Sequence, residues 1–217
     1  MYSHLVNNPL TRSFLTYPYV WWDNSFTQKE LKSMNTFFAS NGVEDATLFK
    51  RNAASDAKNE KIQEPIENYR KSKIKFYNRD DETNWIFKRL NMVFEEINDA
   101  YYNFDLNGYD HFQYTEYESN YSGHYDYHSD IIYGEYSPNK IIETRKLSFI
   151  MALNTPGVDY EGGNLEINTA SESNAISVEM KLGRIIAFPS WMLHRITPIT
   201  KGKRKSLVTW VTGPKFK

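Results

Sequence analysis

The sequence predicts a mainly β (α+β) fold, a two-sheet jelly roll or barrel with helices from its N-terminal half packed on one sheet. Three observations predict it. Aromatic residues are plentiful, with 16 Tyr, 13 Phe and 5 Trp among 217 residues, and flat, bulky side chains favour strands. Beyond residue 110, short runs of strand character follow one another, separated by glycine-bearing turns. Ahead of them lie two segments whose apolar residues repeat at helical spacing. The length suits one domain spanning 1–217, with 1–109 as a helical support region and 110–214 as the core.

The elements follow in order. Residues 18–23 (Pro-Tyr-Val-Trp-Trp-Asp) predict an extended segment or strand. Thr27 is an N-cap with Glu30 at the reciprocal position, so a helix is expected over 28–40, its apolar stripe Leu31, Met34, Phe37 and Phe38. The polar stretch 51–67 is expected to be a loop, and 72–77 alternates like a strand. The strongest helix is 85–98, where Ile86, Leu90, Val93, Phe94 and Ile97 recur at three and four residues and 81–83 supply capping residues. Strands are then expected over 111–119, 125–129, 146–154, 163–167, 175–180, 184–188, 194–199 and 206–212. Gly162-Gly163, Lys181-Leu182-Gly183 and Lys201-Gly202-Lys203 are the turns between them.

Composition excludes several classes of function. Hydrophobic residues make up 40%, enough for a packed core. The formal net charge of −1 lacks the basic excess of a nucleic-acid groove, so no nucleic-acid partner is expected. With no cysteine, disulfides, zinc–thiolate sites and cysteine nucleophiles are ruled out. No apolar run is long enough to span a bilayer, so no membrane partner is expected. The first residues lack the features of a signal peptide, which predicts a cytoplasmic protein.

Five histidines are few enough to weigh singly. His128 and Asp130 stand two apart, and on a strand such residues project from one face. Closing the jelly roll brings His194, on a later strand, opposite them. Two imidazoles and one carboxylate on one side of a metal form the facial triad of non-haem iron(II) oxygenases, with positions left open. Taken alone, a His-x-Asp triplet is more often a surface or turn feature. Arg204 and Ser206 follow ten and twelve residues after His194, on the next strand of an apparent hairpin. A guanidinium there suits the distal carboxylate of 2-oxoglutarate. The competing reading is a solvated turn charge between Lys203 and Lys205.

The ordered set Tyr117, Gly123, Tyr125, His128, Asp130, Arg145, Ser148, Leu153-Asn154, Gly162-Gly163, Gly183, Phe188-Pro189, His194, Pro198, Gly202, Arg204 and Trp210 resembles the prolyl-4-hydroxylase-like branch of the iron(II)- and 2-oxoglutarate-dependent oxygenases. The bacterial and phage PKHD-type hydroxylases are nearest in pattern. The resemblance covers roughly residues 110–212 and implies a double-stranded β-helix (jelly roll). It also implies iron(II) on His128, Asp130 and His194, which are then the catalytic residues, and 2-oxoglutarate anchored by Arg204. Tyr117 and Tyr125 are implied near the co-substrate, Tyr117 as a hydrogen-bond donor and Tyr125 equally as strand packing; Ser206 assists Arg204. Ascorbate is a further candidate cofactor. Ala152 departs from relatives that carry a second carboxylate-binding tyrosine there, so a hydroxyl from elsewhere is needed.

The acceptor implied is a peptide or protein, with a prolyl residue the first expectation and a free amino acid or small metabolite the alternative. Tyr127, Tyr133, Tyr136 and Trp191 are candidates for a peptide groove or for core packing, and 131–144 for a lid. Arg145 is expected to be structural or to face substrate, with the structural role favoured. His4, His111 and His124 receive no role. A nucleic-acid demethylase of this superfamily is disfavoured because position 210 is Trp rather than a second arginine. A jelly-roll binding module that has lost catalysis is disfavoured because the three ligands and Arg204 are all present. A zinc hydrolase is disfavoured because it leaves Arg204 without a purpose.

Overall fold

The computed structural model describes residues 17–46, 48–49, 61–62, 69–109, 111–132, 143–169 and 174–214, the pairs 48–49 and 61–62 as backbone alone. Chain order gives strand β1 (Val20–Trp22), helix α1 (Gln28–Ser40), and short strands β2 (Glu44–Asp45), β3 (Leu48–Phe49), β4 (Lys61–Ile62) and β5 (Arg70–Lys71). Strand β6 (Lys73–Asn78) and helix α2 (Asn84–Ile97) follow. Then come β7 (His111–Glu118), β8 (His124–His128), β9 (Thr144–Ala152), β10 (Tyr160–Gly162) and β11 (Leu165–Asn168). The chain closes with β12 (Ala175–Val178), β13 (Ile185–Pro189), β14 (Leu193–Ile196) and β15 (Ile199–Gly213).

Helix α1 starts at the expected capping box. Thr27 Oγ1 accepts from the Glu30 N–H at 3.2 Å, and Glu30 Oε2 accepts from the Thr27 N–H at 2.7 Å. At α2 the anchoring carboxylate is Asp80, one residue ahead of the expected 81–83. Its Oδ1 accepts from the N–H groups of Glu82 and Thr83 and from the Thr83 hydroxyl, the turn an aspartate forms with backbone two and three residues on. Helix α2 passes into a π-helical turn, Asn98–Tyr102, which Asn103 ends at φ 52°.

Two antiparallel sheets face each other, as a jelly roll requires. Among the described residues the larger has the order β1-β13-β9-β15-β7-β6-β2, with β10 added along β15. The smaller has the order β12-β11-β14-β8-β5. Strand alternation divides the core into two layers. Leu147, Phe149 and Met151 of β9 join Ile185, Ala187, Phe112 and Tyr114 beneath Met34 and Phe38 of α1 and Leu90, Phe94 and Ile97 of α2. Their neighbours Ile150, Ile186 and Phe188 point the other way, toward Leu165, Ile167 and Ile196 of the smaller sheet. Because β9 and β13 are covered on both faces, β13 reads as a continuous apolar run and β9 as a nearly continuous one from Leu147, interrupted by Ser148. The helices thus pin the larger sheet from outside, leaving its inner face to build a cavity against the smaller sheet.

Several expectations are corrected. Residues 201–203 form no turn: β15 runs unbroken through them, with Gly202 at φ +72° where a Cβ would lie 2.2 Å from the Asp159 carbonyl oxygen. Strands β14 and β15 form no hairpin. β14 lies between β11 and β8, whereas β15 lies between β9 and β7, so the Thr197-Pro198 link carries the chain from one sheet to the other. Strands β5 and β10 were not expected; each is too short to display a period. The loop expected over 51–67 lies almost wholly outside the described residues, as does most of the proposed lid over 131–144.

Candidate metal centre

Strands β8 and β14 are neighbours with His128 opposite His194, so both imidazoles share one face with ring centroids 4.1 Å apart. Asp130 is not on the strand, which ends at His128. Its position is set instead by its N–H, which donates to the Ser190 carbonyl at 2.9 Å. One ligand atom from each of His128, Asp130 and His194 lies within 4.8 Å of the others. Asp130 Oδ1 is 3.7 Å from His128 Nε2, and Oδ2 is 3.5 Å from His194 Nε2.

Each ring is oriented through its other nitrogen. His128 Nδ1 lies 2.8 Å from the Asp126 carbonyl oxygen and His194 Nδ1 lies 3.0 Å from that of Met192. A carbonyl only accepts, so Nδ1 carries the proton and the Nε2 lone pair faces the centre. Burial, then the neighbouring His194, push His128 down to about 3, so at neutral pH no proton competes with a metal there. Burial opposes ionisation of Asp130, but His194, His128, Arg145 and the Ser148 hydroxyl outweigh it and hold the carboxyl below its ordinary value. The Ser148 hydroxyl donates to Asp130 Oδ2 at 2.8 Å and meets Ser190 Oγ at 3.0 Å. Two neutral nitrogens and one anionic oxygen on one side are the donor set that suits a six-coordinate iron(II) with open positions.

Ser148→Ala should weaken iron(II) binding by about 10–100-fold, the usual effect of losing an outer hydrogen bond to a ligand. An anaerobic calorimetric titration reads this directly, and an unchanged affinity would mean that Ser148 merely fills space.

A cavity of about 260 Å³ between the sheets holds the triad at its wall, with Tyr117, Ile150, Arg204 and Ser206 also lining it. Arg204 is 2% exposed, not a solvated turn charge. Its Nη1 donates to Ser206 Oγ at 3.0 Å, while Nε and Nη2 are buried with no partner among the described residues. A desolvated guanidinium with unmatched N–H groups is costly, and an anionic ligand in the cavity would satisfy them. Tyr117 is buried with its ring 5.6 Å from Arg204 Cζ, and burial raises its pKa so the phenol stays a donor. The Tyr125 ring stacks on His128, centroids 3.5 Å apart at 14°, and lines the same cavity. Ala152 stands opposite Ser206 in the β9–β15 register, so the hydroxyl beside the arginine comes from β15.

Elsewhere the sequence reading and the structure part. Tyr127 packs under Arg195, 4.5 Å from Cζ, and Trp191 lies 5.6 Å from the Phe104 ring; neither lines the cavity. Tyr133 and Tyr136 lie outside the described residues. Conversely, Arg70, Arg145 and Trp210 do line it. Arg145 Cζ lies 4.0 Å from the Trp210 ring centre, and its Nη1 reaches the Asp130 carbonyl at 3.5 Å. A bulge between Val211 and Thr212 shifts the β9–β15 register next to Arg145, so strand alternation gives no sign of where it points. Arg70 sits on β5, too short to be read from sequence.

The sequence model of the 2OG-Fe(II) oxygenase superfamily matches residues 112–212, from β7 to the end of β15. A PKHD-type hydroxylase of Psychrobacter sp. is 36% identical over 87 residues, covering 40% of this chain and 32% of that protein. The chain thus matches about a third of the length of this curated relative. In architecture it is similar to a Pseudomonas putida prolyl-4-hydroxylase, with a TM-score of 0.66, 17% identity, and coverage of 91% of this chain and 94% of that one. It is likewise similar to a Trichoplax adhaerens prolyl hydroxylase in complex with a hypoxia inducible factor oxygen degradation domain peptide fragment. There the TM-score is 0.65 at 16% identity, covering 90% of this chain and 83% of that one.

Proposed function

Since the chain, through residues 112–212, belongs to the 2OG-Fe(II) oxygenase superfamily in its PKHD-type, prolyl-4-hydroxylase-like branch, we propose that it hydroxylates an acceptor C–H bond. The observation that carries this reading is the pairing, in one cavity, of the His128, Asp130 and His194 donor set with a buried arginine whose Nε and Nη2 lack partners among the described residues. A simple hydrolytic metal centre has no use for the second feature. A dicarboxylate that chelates metal at one end needs both.

His128, Asp130 and His194 would hold iron(II), and Arg204 with Ser206 would hold the distal carboxylate of 2-oxoglutarate. Bound iron, 2-oxoglutarate and dioxygen would supply the oxidation, releasing succinate and carbon dioxide. The chain's own contribution is orientation and exclusion of water. The Nδ1 contacts aim both imidazoles, Ser148 fixes the carboxylate, and Ile150, Ile196 and Val208 keep the cavity wall apolar.

The acceptor we propose is a prolyl residue in a peptide. A Trichoplax relative in fold is seen with a peptide fragment, and the aromatic side chains Phe76 and Trp210 line the cavity as surfaces for a proline ring. Proline-rich peptides and free L-proline, supplied side by side with iron(II) and 2-oxoglutarate, test this. Succinate should rise with a peptide that gains the mass of one oxygen atom. Coupled turnover with free proline alone would remove the peptide and leave the hydroxylase.

A further inference from the structure

Positive charge in the cavity exceeds what the metal and co-substrate can use. The acidic and basic side chains lining it, among the described residues and apart from the neutral phenols of Tyr117 and Tyr125, are Arg70, Arg145, Arg204, Asp130 and the two histidines. Asp130 and one end of 2-oxoglutarate would face the metal, and the other end would face Arg204. Arg70 and Arg145 then remain without a counter-charge.

The charged neighbour of Arg145 is Asp130, whose carboxylate faces the metal position. Arg145 is half-buried; its polar contact is the long 3.5 Å approach to the Asp130 carbonyl, and its guanidinium otherwise rests on the Trp210 indole. Arg70 Nε donates to Ser72 Oγ at 2.8 Å, and its Cζ lies 4.4 Å from the Tyr125 ring centre. No carboxylate among the described residues forms an ion pair with either one. The Trp210 Nε1–H beside Arg145 is also buried, with no partner among the described residues. Donors without acceptors, gathered beside the metal wall, are what a carboxylate ligand requires.

Resting on the oxygenase reading above, we propose that the acceptor carries a carboxylate close to the carbon that is hydroxylated, and that Arg145, with Arg70 on the same cavity, selects for it. The chemistry is shared by an aspartate or glutamate beside the reacting residue, a C-terminal carboxylate, and a free amino acid. Contact with the Trp210 ring pre-sets the guanidinium, so less freedom is lost when a carboxylate docks.

The test compares matched probes. Peptides carry one proline with Asp before it, Asp after it, or a free C-terminal carboxylate, each against its Asn or amide counterpart; free L-proline is set against prolinamide. Binding to the protein loaded with iron(II) and 2-oxoglutarate is measured by calorimetry without oxygen, and succinate release is measured separately with oxygen. At least one carboxylate probe should bind about tenfold or more tighter than its neutral partner, as expected for charge-assisted hydrogen bonds. Arg145→Gln should erase that preference, Arg145→Lys should restore part of it, and Arg70→Gln should reduce it. A preference shown by free L-proline alone supports the carboxylate and identifies a small acid as its source. Pairs that differ less than twofold in the parent protein, or a preference that survives both the Arg145→Gln and Arg70→Gln changes, would overturn the proposal. Absence of succinate in every arm, with the preference intact, would remove the oxygenase reading and leave the anion subsite standing.

Discussion

Asp130→Ala should abolish hydroxylation and weaken iron(II) binding by more than about 100-fold, beyond the range seen when only an outer hydrogen bond is lost. Asp130 is the sole anionic donor in the triad, and its two oxygens lie 3.7 and 3.5 Å from the Nε2 atoms of His128 and His194. Without it a dication would face two neutral imidazoles in a buried site, with no charge to offset its lost hydration. The protein itself should survive the change. Asp130 is held through its backbone N–H to Ser190, which alanine retains, and Ser148 keeps its contact with Ser190. Asp130→Asn is the sharper probe, because its amide oxygen can still accept from Ser148 while the charge is gone. If calorimetry finds iron binding intact in both variants, the metal is held elsewhere.

Arg204→Ala should raise the apparent constant for 2-oxoglutarate by about tenfold or more, from the loss of at least one charge-assisted hydrogen bond, with iron affinity unchanged. Arg204 touches none of the three ligands; its hydrogen bond goes to Ser206. Its Nε and Nη2 have no partner among the described residues, so truncation removes a costly buried charge and strands there only the Ser206 hydroxyl. Stability should therefore change little, and the loss should appear in co-substrate binding. Arg204→Lys should be intermediate, because an ammonium carries the charge without the planar fork. Iron affinity falling in step with 2-oxoglutarate affinity would make Arg204 a structural residue.

The sequence carried the helices and the long strands because their signals are local. The Thr27 and Glu30 capping box and the stripe from Ile86 to Ile97 lie within single elements, and the structure shows both. What it did not carry depends on partners far along the chain. Strand β10 is three residues pairing with β15, and β5 is two residues pairing with β8. The hairpin turn expected at Lys201-Gly202-Lys203 lies inside β15, and the chain changes sheets at Thr197-Pro198, within a run that reads locally as one strand.

The candidate site was legible where chemistry is distinctive. His128, Asp130 and His194 come together although Asp130 is off the strand, since an extended segment pinned by backbone has the same two-residue period. Arg145 was left between a structural and a substrate-facing role, the structural one favoured, because its direction depends on the bulge at Val211 and Thr212. Arg70 was not considered, because its place beside Tyr125 is set by a strand pairing that no local pattern announces.

An anaerobic titration with iron(II) and 2-oxoglutarate, followed by visible absorption, tests the central claim most directly. A metal held by His128, Asp130 and His194 with adjacent positions open can be chelated by the 2-oxo acid, and that chelate absorbs by charge transfer from iron to the ligand. The band should develop only when both are present and saturate at one equivalent of each. It should vanish in Asp130→Ala and need more 2-oxoglutarate in Arg204→Ala. Iron and 2-oxoglutarate that bind without producing the band, or a band that persists in Asp130→Ala, would contradict the assignment.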